Sequence, residues 1–149
     1  MPFHRRNLPH IENYGSTYFV NFSTKYKIVL PPEARSIELD HCLFEEGKRI
    51  DLHAVVVMPD HVHLLFTPLN KNVDEYFNLS EIMNGIKGPS SHNVNKLLDR
   101  RGTLWEPESF DRIIRTEGGF FDRKYYIIEN PIAAGLAKRV GEYKWCWYK

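Results

Sequence analysis

The sequence predicts an α+β fold, a ferredoxin-like (RRM-like) antiparallel sheet with helices packed on one face. Two observations carry this reading. Strand-like and helix-like stretches follow one another in the order β-α-β-β-α-β-α, and the second and third strands are separated only by a tight turn, Met58-Pro59-Asp60. The size agrees. A chain of 149 residues fits one domain, 1–149, and buries roughly 70% of its unfolded surface without disulfide or metal support.

Each element follows from local chemistry. Residues 17–23 (Thr-Tyr-Phe-Val-Asn-Phe-Ser) are rich in aromatic and β-branched side chains and predict a strand. Pro31-Pro32 opens a helix, since proline suits a first turn, and apolar residues at Ile37, Leu39, Leu43, Phe44 and Ile50 carry helical spacing to about Arg49. Residues 52–58 form a second strand whose near-continuous apolar centre implies burial on both faces. After the turn, residues 61–66 form the third strand. Asn78 or Ser80 caps a second helix that runs towards Leu98, with a kink or break expected at Gly88-Pro89. Residues 112–115 read as a strand. A last long helix spans about 119–130, is stopped by Pro131, and is followed by a short Ala-rich tail helix.

Composition excludes several classes. Hydrophobic residues at 42% and charged residues at 26% exclude a disordered or fibrous chain. The longest apolar run, Ala54-Val55-Val56-Val57-Met58, is far short of the ~18 residues a membrane span needs. Residues 1–10 contain no apolar signal-peptide region, and Cys42 and Cys146 alone make neither a disulfide framework nor a four-thiolate metal site. A cytoplasmic protein without a membrane partner is the expectation. The net charge of +1 hides an uneven distribution: +3 over residues 1–32, −5 over 33–75 and +3 over 76–149. A polyanion would be held by the first and last of these segments.

The informative segment is Met58-Pro59-Asp60-His61-Val62-His63-Leu64-Leu65-Phe66. Side chains alternate along a strand, so His61 and His63 share one face while Val62 and Leu64 face the core. Two imidazoles ~7 Å apart in backbone rise can share a divalent cation, although a pair of packed or surface histidines reads the same way. A further ligand is available in the last helix, where Tyr126 and Asn130 lie four apart on one face. The Asn amide oxygen is a neutral hard donor suited to Mg²⁺ or Mn²⁺. Tyrosine is a side chain capable of covalent catalysis, yet in a chain with eight tyrosines it is more commonly a packing residue.

With these residues in view, the chain resembles the REP-associated tyrosine transposases, within the single-tyrosine HUH transposases of bacterial insertion sequences. The segment 58–65 carries the resemblance first, followed by Ile86-Lys87-Gly88 with Ser90-Ser91 and by Leu104-Trp105-Glu106 leading into Ser109-Phe110-Asp111-Arg112-Ile113-Ile114-Arg115-Thr116-Glu117. The segment Tyr126-Ile127-Ile128-Glu129-Asn130-Pro131-Ile132-Ala133-Ala134-Gly135-Leu136 completes it. Together these span roughly residues 17–147, in the family order and without a large insertion.

The resemblance implies a nuclease and strand transferase for single-stranded or hairpin DNA, working as a homodimer. The HUH histidines correspond to His61 and His63, the nucleophile to Tyr126, and the third ligand of a Mg²⁺ or Mn²⁺ ion to Asn130. The adjacent Tyr125 is turned about 100° round the helix and does not share the Asn130 face. Family members act on imperfect hairpins from repetitive extragenic palindromes or element ends, so a cytoplasmic, nucleoid-bound protein is expected. Lys87, Arg112, Arg115, Arg5 and Arg6 are candidate phosphate contacts, and Phe110 is a candidate base platform. Trp105 and Cys42 read as core, and His53 and His41 as structural. A second class stays open: a catalytically silent hairpin-binding module with a regulatory role. The intact set of His61, His63, Tyr126 and Asn130 favours the enzyme.

Overall fold

A computed structural model describes residues 16–149. Strands β1 (Thr17–Ser23), β2 (Ile50–Val57), β3 (His61–Pro68), β4 (Asn70–Asn72), β5 (Glu75–Tyr76), β6 (Phe110–Ile114) and β7 (Cys146–Tyr148) alternate with helices α1 (Pro32–Phe44), α2 (Leu79–Leu98) and α3 (Glu117–Ala133). Five strands form one antiparallel sheet in the order β6-β1-β3-β2-β7, while β4 and β5 make a separate small hairpin. The fold is the expected α+β plan. Among the described residues no helix is long and apolar enough to cross a membrane.

Strand alternation divides the interior into two layers. Val20, Phe22, Val55, Val57, Val62, Leu64 and Phe66 face α1 and α2, which supply Ala34, Cys42, Ile82, Ile86 and Val94. Phe19, Ala54, Val56, Met58 and Leu65 face the other way and meet Ile127 of α3. The two core helices therefore share one face as the plan requires, and α3 covers the opposite face. Apolar residues on both sides of β2 and β3 demand cover on both sides.

Several expected boundaries move, each for a local reason. Helix α1 ends at Phe44 rather than near Arg49, because Gly47 at φ +80° turns the chain and the Gly47 N–H bonds to the Ile50 carbonyl at 2.8 Å. Helix α2 does not break at Gly88-Pro89. Pro89 is exposed, so the hydrogen bond it cannot donate falls on the solvent side, while Ile82, Ile86, Ser90 and Val94 on the opposite side hold the helix to the sheet. Asn78 caps α2 in a reciprocal capping box with Glu81, with bonds of 2.8 and 3.0 Å. Helix α3 continues through Pro131 to Ala133 and closes at Gly135, φ +79°, whose N–H bonds to the Ile132 carbonyl at 3.0 Å. The expected tail helix is absent among the described residues. The tail instead adds β7 to the edge of β2, pairing Cys146 with Val56 and Tyr148 with Ala54.

Candidate active site

The tight turn between β2 and β3 is closed by a bond from the Met58 N–H to the His61 carbonyl at 2.7 Å. It is pinned from outside by Thr24 and Leu30, whose N–H groups bond to the Asp60 and Pro59 carbonyls at 2.9 and 2.6 Å. His61 and His63 leave this turn on the α3 face. Nδ1 of His61 donates to Asp60 Oδ1 at 2.7 Å, which fixes the ring and leaves Nε2 as the lone-pair nitrogen. His63 is buried at 5% exposure, its ring stacked on Phe19 at 5.7 Å and edge-on to His61 at 4.9 Å. Neither nitrogen of His63 has a hydrogen-bond partner among the described residues. Burial, then the neighbouring His61 and Arg123, pushes its pKa down to about 4. The ring is therefore neutral at physiological pH with a lone pair nothing uses, an arrangement that costs roughly 1–3 kcal/mol unless a ligand answers it.

Helix α3 brings the tyrosine. Thr116 caps its start by accepting from the Gly119 N–H at 2.9 Å. Phe120 packs edge-on against His53 at 5.0 Å, and His53 bonds through Nε2 to Thr67 at the far end of β3 at 2.8 Å. Six residues later Tyr126 packs edge-on against His63 at 5.3 Å, near the start of β3. The helix thus runs antiparallel to β3. Asn130, one turn further on the same face, is carried ~6 Å towards the His61 end. Tyr125 is turned away, 54% exposed and stacked on Phe121.

A cleft of about 370 Å³ opens beside Tyr126 between β6 and α3, lined by Arg112, Arg115 and Arg123. Two of the expected phosphate contacts, Arg112 and Arg115, are therefore brought to the tyrosine. Arg123 is not among the sequence candidates, although its place three residues before Tyr126 puts it on the same helical face. Its guanidinium lies 4.7 Å from the Phe19 ring and 5.9 Å from the Tyr126 ring. Lys87 goes elsewhere. It sits on α2, across the sheet, where Nζ donates to the Glu106 carbonyl at 3.0 Å and to Ser109 Oγ at 3.1 Å. Burial lowers its pKa, and it anchors the segment leading into β6 instead of presenting a charge beside Tyr126. Trp105 is core, edge-on to Phe22 at 4.8 Å with its indole N–H on Ser90 Oγ, whereas Phe110 is 47% exposed. His53 is buried and His41 shares a 2.9 Å bond with Asn93. Arg5 and Arg6 lie outside the described residues.

Among the described residues no three His, Cys, Asp or Glu side chains converge as a metal cluster. A cation here would rest on the two imidazoles and a donor of another kind, and helical spacing puts Asn130 one turn beyond Tyr126 on the same face.

Residues 20–129 match the family described as "Transposase IS200 like". Among solved structures, that of a REP-associated tyrosine transposase bound to a REP hairpin superposes with a TM-score of 0.73 at 21% identity, over 98% of this chain and 82% of that one. A crystal structure of a protein assigned as a transposase from Deinococcus radiodurans gives a TM-score of 0.51 at 25% identity, over 87% of this chain and 97% of that one. No curated protein matches the chain.

Proposed function

The chain belongs to the IS200-like transposase family, and on that premise we propose that it nicks and rejoins single-stranded DNA beside a hairpin, with Tyr126 as the nucleophile. The observation that carries the reading is the contact between Tyr126 and His63: a half-exposed phenol set against a buried imidazole with two unpartnered nitrogens. The hairpin comes from the REP-associated relative, solved on such a DNA.

The phenol oxygen of Tyr126 attacks a backbone phosphorus. A bond forms between that oxygen and phosphorus, the bond to the 3′-oxygen breaks, and a 3′-hydroxyl leaves as the phenol proton is released. The product is a 5′-phosphotyrosine. Because a phenol (pKa ≈ 10) is a better leaving group than an alcohol, the ester stays reactive towards a second 3′-hydroxyl, which rejoins strands. His61, oriented by Asp60, His63 and the Asn130 amide form a donor set that fits Mg²⁺ or Mn²⁺. An ion held by these residues would supply Lewis-acid activation of the phosphate. Phe19 holds the His63 ring in place, α3 fixes the tyrosine, and the cleft arginines offset phosphate charge. The homodimer and the nucleoid-bound, cytoplasmic location implied by the resemblance belong to the same proposal.

The test is a covalent adduct on a denaturing gel, using a labelled imperfect hairpin with an unpaired 5′ flank and Mn²⁺. Wild type and Tyr125→Phe form the adduct, and Tyr126→Phe forms none while keeping hairpin affinity within a few-fold. The nick falls in the unpaired flank, and a perfectly paired duplex of the same sequence is a much poorer substrate. Equal cleavage of that duplex would make the protein an ordinary double-strand nuclease. Tight hairpin binding with no adduct from wild type would make it a silent binding module.

A further inference from the structure

Basic side chains over much of this molecule already have partners. Arg49 pairs with Glu45 at 2.8 Å, Lys71 with Glu81 at 2.5 Å, Lys149 with Glu46 at 2.9 Å, and Arg100 bonds to Asn95 Oδ1 at 2.6 Å. Arg112 and Arg123 differ. Each is parked on an aromatic ring, Arg112 at 5.6 Å from Phe110 and Arg123 at 4.7 Å from Phe19, and among the described residues neither makes an ion pair or a hydrogen bond. A contact with a ring occupies no N–H in a hydrogen bond, so the guanidinium donors are available. Asp122 also lines the cleft but pairs with neither.

Both residues line the cleft that Tyr126 walls, one from the edge strand β6 and one from α3. The sheet register extends the same surface. Phe110 pairs with Asn21, and Asn21 pairs with His63, so the exposed Phe110 ring stands on the His63 row two strands away, at ~10 Å. A charged cleft beside the nucleophile, leading to an exposed aromatic on the same row, has the makings of a single-strand track: arginines for phosphates and a ring for a base.

We propose that Arg123, with Arg112 across the cleft, clamps a backbone phosphate of single-stranded DNA neighbouring the phosphate that Tyr126 attacks. The proposal rests on the reading of Tyr126 as nucleophile and adds the path of the strand. Because the Arg123 guanidinium also lies 5.9 Å from the Tyr126 ring, one residue touches both the nucleophile and the strand, coupling engagement of DNA to the pose of the phenol.

The experiment compares wild type, Arg123→Met and Arg123→Lys in binding to the hairpin oligonucleotide across a salt series, and against oligonucleotides with a neutral methylphosphonate at each flank position in turn. Arg123→Met keeps an apolar stem over Phe19 and removes the charge. Its affinity falls roughly tenfold to a hundredfold, and its log-log salt slope drops by about 0.7, the value for one single-strand phosphate contact. It also becomes indifferent to methylphosphonate at one non-scissile position that weakens wild type, and Arg123→Lys recovers the slope. An unchanged slope and methylphosphonate profile in Arg123→Met overturns the clamp, whether or not the adduct is lost, since loss of the adduct alone would mean packing on Tyr126. Should Arg123→Met fail to fold, Arg112→Ala on the edge strand reads the same clamp by the same two measurements. If wild type binds with this profile yet forms no adduct, the nucleophile reading fails and the clamp stands.

Discussion

Around Trp105 on one face of the sheet and around Tyr126 on the other, polar side chains are handled in different ways. Under α1 and α2, the Lys87 ammonium is bonded to Glu106 and Ser109, the Trp105 indole to Ser90, and the fully buried Glu38 lies beside Cys42, whose thiol donates to Oε2 at 3.5 Å. Burial pushes the Glu38 pKa up to about 8, so the carboxyl answers its isolation by keeping its proton. Under α3, the nitrogens of His63 and the donors of Arg123 have no partner among the described residues, and both side chains lie against Tyr126, which is 45% exposed. A sealed polar group must be paired or neutralised, whereas one held next to an opening can wait for a ligand. Access separates the two cases: Glu38 is wholly enclosed and Tyr126 opens on the cleft.

The sharpest way to break this contrast is to remove the waiting groups. His61→Ala and His63→Ala each eliminate DNA cleavage, and EDTA does the same to wild type; robust cleavage in EDTA would refute the metal-assisted reading. His63→Phe also eliminates cleavage but raises Tm, because an apolar ring on Phe19 replaces an unsatisfied one. The gain of ~1–2 kcal/mol corresponds to roughly 2–4 °C per kcal/mol in a chain of this size. A fall in Tm would place His63 with the satisfied groups of the other face.

Trp105→Ala tests the sealed face. Emptying a site packed against Phe22 and Ser90 costs ~3–5 kcal/mol in urea unfolding, while adduct formation per folded molecule stays near wild type. Loss of chemistry without loss of stability would show that the two faces are not separate. Asn130→Ala has a smaller effect: the Mn²⁺ concentration for half-maximal cleavage rises about tenfold to a hundredfold, as for a weakened ligand shell, and hairpin affinity holds.

The smallest effect is in the pH profile. Glu38 is protonated in the folded state up to about pH 8 and ionises near its ordinary value when unfolded, so its contribution to stability is greatest at low pH and is lost as pH rises towards 8. His53 and His63, both lowered to about 4, act in the opposite sense: stability rises from pH 4 to about 6.5 and is flat above. The Glu38 effect therefore stands alone between pH 6.5 and 8, where Tm of wild type declines and that of Glu38→Gln does not. Parallel Tm curves for the two proteins would show that Glu38 is not the group titrating.

Much of the fold was legible because its cues are local. The Pro-Asp turn, the aromatic strands and the Asn78 cap each act within a few residues. Pro89 and Pro131 misled because a proline ends a helix only when nothing else holds the next turn, and packing on the sheet holds α2. Strand β7 is not legible in the sequence, since three residues carry no periodicity, and it forms on the open edge of β2. Lys87 reads as an exposed helix cation until the Glu106 and Ser109 acceptors fold over it.

The sequence by itself determined which side chains share a face: His61 with His63 by the two-residue period of a strand, and Tyr126 with Asn130 and Arg123 by the helical period. Those periods are properties of the backbone and need no distant partner. Only the tertiary structure decided that α3 lies on the histidine face, antiparallel to β3, so that Tyr126 meets His63 and Arg123 meets Phe19. That choice is made by burial of Ile127 against Phe19, Ala54, Val56 and Leu65. Burial of apolar surface is non-directional and links residues half a chain apart, and no local pattern specifies its outcome.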